Sequence, residues 1–324
     1  MPNIVAHCWY GEAAYTKSNT DYVRKCIQKY HGVFMLGCQG PDPFYFYHRM
    51  PWQSKKDRKK VMHYGDILHN EHINDTFEVF FKYVKETKNP LDIAYVAGFM
   101  CHWALDTTCH PYIYFETDSL NKNIGNAHQA FETMIDKGVL MVNDLDVRDF
   151  QTYKLLKHPE ETTERVWKIL ADVFKKCDGL DLEFRHLDES VRQFHSVQKL
   201  FYDPTGRKHK LVGVAENIAK MKGVGTGMMI PREYDYEMDP MNFKKREWLH
   251  PCDKNVKSTE TFEEMASKAV GIMLALLKTY EDYLNDKAEI SDLLDIIADR
   301  SFDTGLAPGA KMQYFCKDME NENI

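Results

Sequence analysis

Several features are missing from this 324-residue chain, and each absence narrows what it can be. No apolar run reaches the roughly 18 residues that a membrane-crossing helix needs. The start shows no cationic segment followed by an apolar core and a small-residue cleavage site. A cytoplasmic location is therefore the expectation. The cysteines (Cys8, Cys26, Cys38, Cys101, Cys109, Cys177, Cys252 and Cys316) include no Cys-x-x-Cys pair and read as reduced thiols, mostly core. Positive charge is not in excess: 42 Lys and Arg face 49 Asp and Glu, a net charge of −7. That balance gives no long-range pull toward a phosphate backbone, so stable nucleic-acid binding is not expected. Gly223-Val-Gly-Thr-Gly227 lacks the Gly-Lys-Ser/Thr ending of a phosphate-binding P-loop. Alternating apolar and polar runs long enough to require a sheet are also missing.

What remains is helical. Apolar residues recur at three- and four-residue spacings over 22–30 and 73–85. Residues 91–110 form the most apolar predicted helix, 126–137 the next, and 118–125 a polar connection between them. Further helices are expected over 159–177, 187–201, 214–222, 261–284 and 290–300. The fold class is all-α. The chain is expected to form one domain over 1–324, with its chemistry in 1–135 and a helical C-terminal half over 136–324.

The chemistry concentrates in Gly98-Phe-Met-Cys-His102-Trp-Ala-Leu-Asp106-Thr-Thr-Cys-His110-Pro111 and in His128-Gln-Ala-Phe-Glu132. His102 and Asp106 are four apart, so on a helix they project from one face, and His128 and Glu132 repeat the spacing. His110 is expected to close its helix just before Pro111. One such pair alone reads as a surface ion pair of little energetic weight. Two pairs and His110 in one short region point instead to divalent metal, with a nitrogen and oxygen donor mixture that suits Zn²⁺. An ionised Asp106 inside an apolar helix is costly unless paired or metal-bound.

These motifs resemble the zinc-dependent phospholipase C family, relatives of the S1/P1 nucleases. Gly37-Cys-Gln-Gly40-Pro41-Asp42 resembles the family's early aspartate segment and Gly65-Asp-Ile-Leu-His69 its next histidine segment. His7 stands where the family has an N-terminal histidine. Trp248-Leu-His-Pro251 and Ser301-Phe-Asp-Thr-Gly305 are also similar, less diagnostically. The resemblance implies a multi-helix bundle of the phospholipase C/P1 nuclease type holding up to three zinc ions. It implies one ion on Asp42, His69, His102 and Asp106, and a second on His110, His128 and Glu132 with a position left for water. A third would lie on His7 and a bridging Asp106. Relatives complete that third site with the amine of an N-terminal tryptophan. This chain begins Met1-Pro2, so either the site is weak or another donor, such as the chain's own terminal amine, takes its place.

The activity that follows is metal-assisted hydrolysis of a phospholipid or small phosphodiester. Asp42 is the candidate general base and Glu132 the ligand of the metal that keeps an open position. A nuclease or nucleotide phosphohydrolase with the same metals, and a non-catalytic zinc-binding helical protein, are the competing readings. The Glu-x-x-His pairs of di-iron bundles are absent. His63 and His72 rival His69 as ligands, and His48 is a supporting candidate. Phe44-Tyr-Phe-Tyr47 is core or pocket wall. Residues 54–60, a charge run, form a solvated loop or helix end, or a contact for anionic headgroups. Residues 223–257 form a flap over the site or ordinary surface packing.

Overall fold

The most apolar stretch of the sequence becomes the axis around which the other helices pack. The computed structural model describes residues 4–50, 52–117, 125–155, 160–220 and 223–316. Its helices are, in chain order, α1 (Ile4–Lys17), α2 (Tyr22–Lys29), α3 (His31–Gly37), α4 (Arg58–Asn70), α5 (Ile73–Thr87), α6 (Pro90–Thr117) and α7 (Gly125–Val142). There follow α8 (Thr152–Leu155), α9 (Glu160–Cys177), α10 (Phe184–Phe201), α11 (Arg207–Ala219), α12 (Phe262–Leu284) and α13 (Ile290–Ile297). Short 3₁₀ turns cover Asp42–Phe46 and Thr226–Met228. Strands β1 (Trp248–His250) and β2 (Asp253–Ser258) form an antiparallel hairpin with an irregularity between Leu249 and His250. The fold is all-α, and no helix among the described residues is long and apolar enough to cross a membrane.

Helix α6 is apolar on every side, which is the pattern of a helix enclosed by others. Helices α1, α2, α3, α7, α12 and strand β1 all pack against it. The closest approach is to α3. A Cβ at Gly98 would lie 2.2 Å from the Phe34 carbonyl oxygen, and one at Gly37 2.3 Å from the Tyr95 carbonyl oxygen. Two glycines facing each other let those backbones touch. Beside this crossing, Phe77 packs against Phe80, Phe81, Phe99 and Trp103 in an aromatic cluster. Helix α12 starts with a capping box between Thr261 and Glu264, which satisfies backbone donors that a helix start leaves open.

The expected helix end at His110 is wrong: α6 runs through Pro111 to Thr117. Proline removes one intrahelical hydrogen bond, the one its nitrogen would have given to the Thr107 carbonyl. Here burial on all sides outweighs that loss. The freed carbonyl faces Gly305, where a Cβ would sit only 2.4 Å from the Thr107 oxygen. Helices α1, α3 and α4 were not expected from periodicity, since α1 buries Ile4, Val5, Cys8, Tyr10 and Ala14 on several sides and presents no single stripe. Of the polar connection over 118–125, residues 118–124 lie outside the described residues.

Residues 223–257 are pinned down. Asp239 accepts from the Tyr234 hydroxyl and from the backbone N–H groups of Phe243 and Lys244, and Met241 is buried above Gly138 of α7. That is packing against the bundle, so the flap expectation gives way to the packing one. All eight cysteines are free thiols, and Cys8, Cys26, Cys38, Cys101 and Cys109 are buried.

Candidate metal centre

Three donors come from α6 itself. His102, Asp106 and His110, at i, i+4 and i+8, form one fully buried stripe. The other donors arrive from α1 (His7), the turn after α3 (Asp42), α4 (His69) and α7 (His128 and Glu132). Each is placed by an identifiable local device. Gly40, at φ +50°, turns the chain toward Asp42, and a Cβ there would lie 2.1 Å from the His102 ring. Asp136, one helical turn beyond Glu132, accepts hydrogen bonds from the Val5 and Ala6 N–H groups. It thereby caps the start of α1 and fixes the helix that carries His7.

Asp106 sits at the middle. Its Oδ1 is 3.2 Å from His7 Nε2 and 3.6 Å from His110 Nε2. Its Oδ2 is 3.0 Å from His102 Nε2 and 3.9 Å from His69 Nε2. Asp42 Oδ1 lies 3.5 Å from His69 Nε2 and 3.6 Å from His102 Nε2. Beyond His110, Glu132 Oε1 is 2.9 Å from His128 Nε2 and 3.8 Å from His110 Nε2. The donor atoms fall into three groups, each compact enough for one ion: His7, His102 and Asp106; Asp42, His69 and His102; His110, His128 and Glu132.

The hydrogen bonds behind the rings decide what these groups suit. His69 Nδ1 is 2.8 Å from the Gly65 carbonyl, His102 Nδ1 is 3.1 Å from the Cys38 carbonyl, and His110 Nδ1 is 2.9 Å from the Phe302 carbonyl. A carbonyl only accepts, so each Nδ1 carries the hydrogen and a neutral ring presents a lone pair at Nε2. Those lone pairs face carboxylate oxygens, which also only accept. The Nε2 atoms of His69, His102 and His110 and both Asp106 oxygens make no hydrogen bond. Buried acceptors aimed at one another need a cation between them.

Protons alone serve poorly. The His7 and His102 rings stack with centroids 4.1 Å apart, where two imidazolium charges would repel. Burial, then the neighbouring His102, lowers the His7 pKa, and burial holds His110 well below its ordinary value. His69 is the exception: burial works to lower its pKa, but Asp42, Asp303 and Asp106 outweigh it and push the ring up to about 9. One proton there leaves the Nε2 atoms of His102 and His110 and the Asp106 oxygens still without a hydrogen bond. Burial works to raise Asp106, yet His102, His110 and His7 outweigh it and hold the carboxyl well below the usual range. The donor set therefore fits divalent metal, and zinc in particular.

Rivals and neighbours fall elsewhere. His63 is exposed, and His72 belongs to a separate group with Glu71 and Asp178 that is open to solvent. His48 pairs with Glu189 at 3.1 Å. Burial pushes Cys101 up to about 12 and Cys109 well above the ordinary thiol value, so both stay protonated core residues. Phe44, Phe46 and Tyr47 are core, whereas the Tyr45 hydroxyl donates to Asp66 and stands 3.3 Å from His69 Nδ1. The terminal amine considered as a donor for the third group lies outside the described residues.

The segment Ser301–Gly305 matters more than its spacing suggested. Besides receiving His110 Nδ1 at Phe302, it receives the Thr107 hydroxyl at the Ser301 carbonyl and donates from Phe302 N to the His69 carbonyl. Asp303 accepts from Tyr114 and Asn70. His250, from Trp248-Leu-His-Pro251, donates to the Thr304 carbonyl and buttresses the loop from behind. The signal was present in the sequence as two short motifs some fifty residues apart. Only the fold shows that one supports the other.

A family model described as zinc dependent phospholipase C matches residues 6–183, more than half of the chain and every donor named above. No curated protein matches the chain, and no solved structure matches it.

Proposed function

The chain belongs to the zinc-dependent phospholipase C family, and from that premise we propose that it is a zinc-dependent phosphodiester hydrolase acting on phospholipid or a related phosphodiester. The observation that carries this is the set of buried Nε2 lone pairs facing carboxylate oxygens around Asp106. Asp42, His69, His102 and Asp106 would hold one zinc, and His110, His128 and Glu132 a second. His7, with His102 or Asp106, would hold a third. Zinc bound in such a cluster supplies Lewis acidity toward phosphoryl oxygens and lowers the pKa of water.

The remaining work belongs to the chain. Asp106 divides its two oxygens between the donor groups and offsets the positive charge gathered there. The carbonyls of Gly65, Cys38 and Phe302 fix the imidazole tautomers, so the Nε2 lone pairs are presented without reorganisation. Asp42 is buried but stands at the edge of the donor set, on the turn that Gly40 bends. It is the carboxylate to accept a proton from attacking water. Glu132 belongs to the group with three protein donors, which leaves a tetrahedral position open, as catalytic zinc sites do.

The test is metal analysis of the purified protein together with hydrolysis of a chromogenic phosphodiester, phosphatidylcholine and single-stranded DNA. Zinc-restored activity after chelation, greater on lipid than on DNA, is expected. Greater activity on DNA would replace lipid with nucleic acid as the substrate. Bound zinc with no hydrolysis of any of the three would leave a structural zinc bundle.

A further inference from the structure

Helix α11 is amphipathic the wrong way round. Leu211, Val214, Ala215, Ile218 and Ala219 recur at the three- and four-residue spacing of a core-facing stripe, yet all are exposed. Ile218 is 80% accessible, Leu211 72% and Val214 60%. The residue α11 buries is Glu216, whose carboxylate accepts from the backbone of Gly223, Gly225 and Thr226 and from the Thr226 hydroxyl. An exposed apolar face on a helix held down by its polar side needs a partner.

The stripe borders a groove of about 840 Å³, floored by Phe201, Val212, Met228 and Met229, with Trp52 at its rim, 75% exposed. Its polar contributors are Arg49, Arg58, Lys208 and Glu216. Glu216 is engaged as described, and Lys208 also donates to the Leu200 and Tyr202 carbonyls. Arg49 and Arg58 both line the groove and make no ion pair among the described residues, and the Arg49 guanidinium lies over the Phe46 ring, 5.3 Å from its centroid. Arg58 Nε is buried without a hydrogen bond. Lys55, Lys56, Lys59 and Lys60 lie within three positions of Arg58, Lys60 paired with Glu183, and Arg207, Lys210 and Lys220 lie on or next to α11.

Two guanidinium groups without a carboxylate partner among the described residues, both lining an apolar groove, fit an anion with an apolar tail. We propose that this face docks on a phospholipid bilayer. The α11 stripe and Trp52 enter the acyl boundary, the groove takes an acyl chain, and Arg49 and Arg58 hold headgroup phosphate. Charge complementarity selects the occupant. In a symmetric dimer the same cations would confront their own copies, whereas an anionic lipid surface neutralises them although the protein as a whole carries −7. The choice of lipid rests on the phosphodiester reading of the metal centre, but the docking residues are separate from the metal donors.

The experiment is sedimentation of the zinc-loaded full chain with vesicles of phosphatidylglycerol and phosphatidylcholine, and with phosphatidylcholine alone. The wild type is expected to bind the anionic vesicles more tightly and to weaken as salt rises. Leu211→Asp with Ile218→Asp should lower partition at least about tenfold, with unchanged zinc content and melting temperature. Val256→Asp, one such substitution at an exposed apolar residue of β2 outside the groove, should leave it intact. Arg49→Gln with Arg58→Gln should remove the preference for anionic vesicles. Failure of the wild type to bind, or equal binding by the Leu211/Ile218 variant, overturns the proposal. So does a dimer that this variant converts to monomer, which would assign the face to a second copy. Vesicle binding without hydrolysis of any substrate would sink the hydrolase reading and leave docking standing.

Discussion

Asp106→Asn separates a metal centre from a buried ion-pair network, because the two explanations predict opposite dependence on zinc. Asparagine keeps the volume and an oxygen, and its amide can donate to His102 Nε2, 3.0 Å from Oδ2 in the native protein. With zinc about 1,000-fold above its dissociation constant, each occupied site adds about 4 kcal/mol of stability. Replacing a charged shared ligand with a neutral one, at a cost of about 1,000-fold in affinity, would leave only about 0.4 kcal/mol. Unfolding entropy for a chain of this length is about 0.7 kcal/mol/K, so each lost site lowers the melting temperature by about 5 °C. The Asp106 oxygens face imidazoles of every donor group, so a drop of about 10 °C is expected for two sites. In chelated protein the same substitution removes a fully buried charge, and the melting temperature should stay level or rise. The assay is thermal melting of zinc-loaded and chelated forms, with zinc per chain measured alongside. If Asp106→Asn costs the same with and without zinc, about 3–5 kcal/mol as for a broken buried ion pair, the metal-centre reasoning is refuted.

Three further substitutions probe other parts of the site. Glu132→Gln should cut turnover by tenfold or more through weaker metal binding and move the pH–rate profile of the zinc-saturated protein to lower pH, because a neutral ligand leaves more positive charge on the ion, while the melting temperature falls less than in Asp106→Asn; an unchanged profile would reduce Glu132 to an ion-pair partner of His128. Asp136→Asn sets an amide against one of the two N–H groups at the start of α1, and should cost about 1–2 kcal/mol and selectively weaken zinc binding by the His7 group. Full zinc content in that variant would show that α1 is positioned without this cap. Gly40→Ala forces a side chain into a left-handed backbone and into the His102 ring, so loss of at least about 1–2 kcal/mol and of bound zinc is expected; an intact, fully zinc-loaded Gly40→Ala protein would show that the turn has room to move.

Local patterning settled much of this molecule before any tertiary contact. Carboxylate and imidazole four residues apart share a helix face because the helix repeats every 3.6 residues, so His102–Asp106 and His128–Glu132 were legible as pairs. The absence of long strand alternation made the all-α class legible for the same periodic reason. The tertiary structure decided what has no local signature. Pro111 does not end its helix, because burial of α6 on every side outweighs one lost hydrogen bond that spacing alone treats as a stop. Helix α1 carries no apolar stripe, since neighbours surround it, and only the fold places His7 beside Asp106. The choice of His69 over His63 follows from which face of α4 turns inward toward Asp42, and His72 lies past the end of that helix, beside Glu71 and Asp178. The carbonyls that fix the imidazole tautomers come from residues up to 192 positions away, as at Phe302 and His110. For α11 the spacing supported only a helix over 214–222, whereas the structure forms it over Arg207–Ala219 and turns its apolar stripe outward. Periodicity tells which residues share a face, and only packing tells whether that face meets core or solvent.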